Sequence, residues 1–177
     1  MTTEAADALH KILLDRKLTI ACAESLTVGG VATHLGENSG SSAYFQGGVV
    51  AYNIDHKVNI LQVDRENAEA CNCVSRRTAI EMVYGVMKLF DADVGIATTG
   101  YAEPDPDNGI DKPHAWIAVG IRNPEDRDKA DIHHISATAE SQCSSPEDRR
   151  IDVQESVAYS AIEFCVNCLA PGTLEMG

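Results

Sequence analysis

The sequence predicts a three-layer α/β/α sandwich with a mixed sheet. Three observations lead there. Short apolar runs alternate with segments of helical spacing along the chain. Two of those runs, residues 18–23 and 94–99, are apolar at nearly every position, as strands covered on both faces are. Two alternating segments in the C-terminal half lie close enough to form a hairpin, which adds antiparallel strands to a sheet otherwise built by helical crossovers. The 177 residues suit one domain over 1–177, with no internal repeat, low-complexity stretch or convincing linker.

Each element has its own signal. Residues 5–17 carry Ala5, Leu9, Ile12 and Leu13 at helical spacing. Residues 18–23 read as the first strand, and residues 29–35 can form a short helix before a loop, Gly36-Glu37-Asn38-Ser39-Gly40. Residues 47–52 read as a buried second strand, followed by a short helix over 54–61. The clearest amphipathic helix spans 75–90, with Ser75 as cap and a stripe of Ile80, Val83, Tyr84, Met87 and Phe90. Residues 94–99 form the third strand, ending at Thr99-Gly100. Residues 101–113 are too rich in Pro, Asp and Gly for regular structure. Residues 116–121 and 131–137 make the hairpin, joined through Asn123-Pro124-Glu125-Asp126. The last helix starts near Ser145-Pro146, runs through Ile162 towards Leu169, and is ended by Pro171 and Gly172.

Composition narrows the function. The formal net charge of -13 argues against a nucleic-acid partner, which needs a basic face. A small anionic ligand needs only local cations, for which Lys57, Lys112, Arg149 and Arg150 are candidates. No stretch approaches the roughly 18–20 apolar residues of a membrane span. Residues 1–9 lack the basic and apolar regions of a signal peptide, so a cytoplasmic protein is expected. Of the six cysteines, Cys22 falls in the first strand, Cys143 in a polar segment, and Cys71/Cys73 and Cys165/Cys168 form two close pairs. Their spacing is a weak zinc signal, and the second pair fits the core face of a helix better. Disulfides are not expected without an export signal. His133 and His134 alternate in a strand and point to opposite faces, so they do not ligate together. No metal and no cofactor are expected.

The chemistry concentrates in the turn Ala23-Glu24-Ser25-Leu26-Thr27-Val28-Gly29-Gly30, between the first strand and a helix start. Such turns hold ligands and catalytic groups in α/β proteins, and the helix N–H groups can bind an anion. Ser25 and Thr27 stand at that mouth, or simply cap the helix. Further polar clusters are Gly40-Ser41-Ser42, residues 52–57 and residues 99–112. A nucleophilic serine needs a base, and a buried lysine can serve. No histidine triad pattern and no Gly-x-Ser-x-Gly elbow is present, so a serine–lysine or serine–tyrosine–lysine centre is the more natural serine chemistry. Each residue also has a plainer reading: an ordinary turn at Gly40-Ser41-Ser42, a solvated Lys57, and an Arg149-Arg150 pair that neutralises acidic neighbours.

Taken together, Ala23-Glu24-Ser25-x-Thr27-x-Gly29, Gly40-Ser41-Ser42-Ala43-x-Phe45, Gly47-Gly48-Val49-Val50-x-Tyr52-Asn53 and Lys57 resemble the C-terminal domain of the competence/damage-inducible protein CinA. The match continues through Val74-Ser75, Thr99-Gly100, Pro104, Lys112-Pro113 and Asp148-Arg149. The resemblance implies an amidohydrolase of the nicotinamide mononucleotide deamidase type, acting on a small-molecule nucleotide, and a homo-oligomer. It implies Ser25 or Ser42 as nucleophile and Lys57, aided by Tyr52, as the proton carrier. Backbone N–H groups near Ser41 or Ser25 would hold the oxyanion. Thr27, Gly29, Thr99 and Gly100 would line the substrate site, and Arg149 with the helix start after Ser25 would bind the phosphate.

The chain also departs from the family pattern. Leu26 and Val28 stand where the family has cysteine and glycine, and a β-branched residue resists positive φ. Cys71-Asn72-Cys73-Val74 replaces His-Gly-Ala-Val, and His114-Ala115-Trp116 follows Lys112-Pro113 in place of Val-Gly-Thr. Glu103 replaces a small residue in Gly100-Tyr101-Ala102-Glu103-Pro104 and would repel a phosphate. With Ser25, Ser42, Tyr52, Lys57 and Arg149 retained, the pattern suits a changed substrate, or a non-catalytic binding protein that keeps the pocket.

Overall fold

Five strands form one sheet in the order β2-β1-β3-β4-β5: β1 Ile20–Glu24, β2 Phe45–Val50, β3 Val94–Tyr101, β4 His114–Arg122 and β5 Ala130–Thr138. The structure is a computed structural model describing residues 3–138 and 145–170. β1 pairs in parallel with β2 and β3, whereas β4 and β5 add antiparallel strands, so the sheet is mixed as expected. The helices are α1 Glu4–Arg16, α2 Gly30–Gly36, α3 Ile54–Leu61, α4 Arg65–Ala70, α5 Arg76–Phe90 and α6 Pro146–Leu169.

The period of two along each strand builds the layers. From β1, Ile20 and Cys22 enter a core shared with Leu9 and Leu13 of α1 and Val157 and Ile162 of α6. Ala21 and Ala23 point the other way, into a core with Met82, Val83 and Val86 of α5. Burying each large aliphatic side chain stabilises the fold by about 1.5–3 kcal/mol. Cys165 and Cys168 are buried in the first of these cores.

Several boundaries differ from those expected. The first strand begins at Ile20, because Lys17 takes a left-handed φ of 54° and Leu18 N–H returns to the Leu13 carbonyl, closing α1. Thr19 is then held by the Asp93 carboxylate through its N–H and hydroxyl. β2 runs two residues earlier than read and is an edge strand with alternate residues exposed, so it is not buried. α5 buries Ala79, Met82, Val83, Val86 and Met87, while Tyr84 faces solvent, a rotation of the expected stripe. α4 was not expected: only Ala68 of its six residues is buried, which leaves no apolar period to read. The loop after β3 contains a short 3-10 turn, Pro106–Asn108, closed by a bridge between Asp105 and Ile110. Ser145 caps α6 by accepting from Asp148 N–H. Cys143, Pro171 and Gly172 lie outside the described residues.

This topology positions the site. The chain goes from β1 outward to β2, then returns past β1 to β3. After β1 the chain enters α2 on the face covered by α1 and α6, whereas after β2 it enters α3, α4 and α5 on the opposite face, so the connections diverge at the C-terminal ends of these two strands. That divergence leaves a crevice, where open α/β sheets bind ligands.

Candidate active site

β1 delivers Ser25 to the crevice, and Ser25 N–H donates to the Thr98 carbonyl at 3.0 Å, pinning the turn to β3. The Lys57 ammonium donates to Ser25 Oγ at 2.9 Å. Lys57 lies in α3, whose start is fixed by Asn53 Oδ1 accepting from His56 N–H. Its side chain turns inward and the residue is 1% exposed. The nitrogen also donates to the Ala51 carbonyl at 2.7 Å and the Tyr52 carbonyl at 3.1 Å. Three N–H bonds thus meet three neutral oxygens. Burial lowers the Lys57 pKa below its ordinary 10.5, opposed in part by the nearby Cys73 thiol. Once neutral, the amine keeps two donors for the carbonyls and offers a lone pair to the Ser25 hydroxyl. That is the arrangement of a serine nucleophile with its base.

Glu24 organises the turn that follows. Its carboxylate is 1% exposed and accepts from the N–H groups of Gly29, Val31 and Ala32 and from the Thr27 hydroxyl. Thr27 Oγ1 also bonds Thr98 Oγ1 at 2.8 Å. The helix start expected to hold a phosphate is therefore filled by the chain's own carboxylate. Thr27 and Gly29 serve that cap and do not line the cavity. Gly29 has φ 98° and Val28 φ 47°, so the turn does place a β-branched residue in left-handed backbone, about half exposed at the surface.

A cavity of about 540 Å³ opens beside Ser25 and Lys57. Thr99 and Gly100 line it. Thr99 donates to the Cys73 carbonyl at 2.7 Å, holding a turn in which Asn72 and Cys73 both have positive φ. Gly100 is required by close packing: an added Cβ would meet the His114 carbonyl oxygen at 2.3 Å. Tyr52 lines the cavity with an exposed ring, but its hydroxyl accepts from Arg150 at 2.8 Å and only its backbone carbonyl reaches Lys57.

Ser42 and Arg149 do not join this site. Ser42 lies exposed in a 3-10 turn, Ser41–Ala43, that precedes β2, whereas Ser25 follows β1. The two strands are parallel, so the serines sit at opposite ends of the sheet, about 15–20 Å apart by strand length. Arg149 is exposed, and Arg150 lines the cavity instead. Adjacent helical residues project about 100° apart, so only one of the pair can face the crevice. Arg150 donates through Nη1 to Glu103 as well as through Nη2 to Tyr52. The sequence names Arg150 as a candidate cation but the family pattern gives the phosphate to Arg149, and neither singles out Asn72, Cys73 or Tyr101, which line the cavity. Among the described residues, no group of three or more His, Cys, Asp or Glu side chains is gathered as a metal site.

The comparisons with known proteins agree with this fold. A family model described as the CinA C-terminal domain matches residues 2–169. A CinA-like protein of Chlorobium limicola is 42% identical over 119 residues, 67% of this chain and 28% of that protein. A putative competence-damage inducible protein of Bacillus subtilis is 38% identical over 112 residues, 63% of this chain and 27% of that protein. The chain thus spans under a third of the length of these curated relatives. Among solved structures, competence damage-inducible protein A of Klebsiella pneumoniae superposes with a TM-score of 0.78 at 25% identity, covering 96% of this chain and 97% of that one. A competence/damage inducible protein of Agrobacterium tumefaciens gives 0.77 at 26% identity, covering 94% and 96%.

Proposed function

The chain belongs to the CinA C-terminal domain family, and on that premise we propose that it is an amide hydrolase of the nicotinamide mononucleotide deamidase type. The observation that carries this reading is the buried Lys57–Ser25 hydrogen bond at 2.9 Å, at the floor of a ligand-sized cavity. Ser25 Oγ attacks the carboxamide carbon while its proton passes to neutral Lys57. The Leu26 N–H, next in the turn at the cavity wall, is the backbone donor to hold the developing oxyanion. Lys57 then gives the proton to the amide nitrogen, and ammonia leaves as the tetrahedral intermediate collapses to an acyl-Ser25 ester. Water attacks that ester, Lys57 takes the water proton, and its return to Ser25 Oγ releases the carboxylate product.

Ammonia release from nicotinamide carboxamides by the purified protein, with Lys57→Ala and Ser25→Ala beside it, tests the reading. Release that is lost in both variants supports it. Release that persists in both at the parent rate removes the serine–lysine mechanism. A second reading, a binding protein without turnover, is favoured by Glu103 occupying Arg150, the guanidinium an anionic ligand would use. It predicts saturable ligand binding with no ammonia.

A further inference from the structure

The cationic groups around the cavity are already engaged. Among the described lining residues they are Lys57 and Arg150, against the carboxylates of Glu103 and Asp105. Lys57 is committed to Ser25 and two backbone carbonyls. Arg150 gives one terminal nitrogen to Glu103 and the other to Tyr52. The remaining anion cradle, the start of α2, is closed by Glu24.

The Arg150–Glu103 pair is set by the fold as much as by its own attraction. Ala102, directly before Glu103, is buried in the core at the end of β3. Arg150 stands one turn before Val153, whose side chain anchors α6 in the same core. The two charges are therefore brought together by elements that packing fixes. A phosphate entering this corner would have to displace Glu103 from Arg150. The displaced carboxylate, with Asp105 nearby, would then face a dianion at short range.

We infer that the amide taken by this cavity carries no phosphate, and that its substrate class is a nucleoside-type carboxamide in the dephosphorylated form. This deepens the amide-hydrolase reading and rests on it. A carboxylate at the rim accepts hydrogen bonds from a ribose diol, as acidic residues do at dinucleotide sites. Two carboxylates also favour a ligand whose net charge is positive, as a pyridinium nucleoside is once its phosphate is gone. Glu103 is then the residue that sets specificity.

The test compares nicotinamide riboside with nicotinamide mononucleotide by kcat/KM of ammonia release, for the parent protein, Glu103→Gln and Glu103→Gly. Binding of ribose 5-phosphate, followed by calorimetry, gives a readout that needs no turnover. The parent protein is expected to favour the riboside by about tenfold or more, and both variants to shift the ratio towards the mononucleotide by about tenfold or more. Ribose 5-phosphate binding is expected in the variants and not in the parent. A parent protein that prefers the mononucleotide, with a ratio the variants do not change, overturns the inference and leaves the deamidase reading standing. Equal ribose 5-phosphate binding in parent and variants overturns it without reference to catalysis. No ammonia from either compound in any of the three proteins removes the deamidase reading and this inference with it.

Discussion

Lys57 Nζ lies 2.9 Å from Ser25 Oγ, and its other two partners are the Ala51 and Tyr52 carbonyls. A buried lysine whose hydrogen-bond partners are neutral oxygens has lost hydration without gaining a counter-charge. Its proton is held weakly, which is the condition for a base. The rate of ammonia release should therefore rise with pH through a single ionisation below the ordinary lysine value of 10.5. Lys57→Arg, which stays protonated, should lower kcat by about a hundredfold or more at every pH. A flat profile, or an arginine variant of parent activity, contradicts Lys57 as base.

The same depressed ionisation makes stability depend on pH. Between the lowered folded value and 10.5 the unfolded chain binds more protons than the folded one, so unfolding free energy increases as pH rises across that window. The contribution is lost as pH falls through the folded value. Lys57→Met removes the titrating group, and its urea-unfolding free energy should have a smaller slope in that window than the parent's. Identical slopes would show that Lys57 titrates normally.

Glu24 is the structural centre of the turn. Glu24→Ala leaves the N–H groups of Gly29, Val31 and Ala32 and the Thr27 hydroxyl without their acceptor. The expected loss is about 3 kcal/mol or more by urea unfolding. A loss under about 1 kcal/mol would mean that the cap does not hold the turn.

Val28 is left-handed at φ 47° and 52% exposed, so its side chain contributes little burial to offset its backbone strain. Val28→Gly should raise stability by about 0.5–1 kcal/mol, the relief of strain less the added freedom of the unfolded chain. Thermal unfolding checks this, and a lowered Tm would show that Val28 makes a contact worth more than its strain.

The layers were legible because a run such as Ile20 to Ala23, apolar at every position, must be covered on both faces, and segments of helical spacing between such runs supply the cover. The helix α4 was not, because capping by Asp64 and one buried alanine leave no periodic signal. At the site, Ser25 and Lys57 were named together through family resemblance. Choosing between Ser25 and Ser42 required strand direction, which local sequence does not carry: one serine follows a parallel strand and the other precedes its neighbour. The choice of Arg150 over Arg149 was within reach. Arg150 stands three and seven residues before Val153 and Val157, in phase with the buried stripe of α6. The role of Glu24 was hidden because its partners are backbone N–H groups, which every residue possesses and no side-chain pattern reveals.

The pairing of Ser25 with Lys57 is tested most directly by labelling with a serine-reactive fluorophosphonate probe, followed by peptide mapping. The label should fall on Ser25, rise with pH as Lys57 loses its proton, vanish in Lys57→Met and persist in Ser42→Ala. A label on Ser42, or labelling of Ser25 that is unchanged in Lys57→Met, would contradict a nucleophile activated by this lysine.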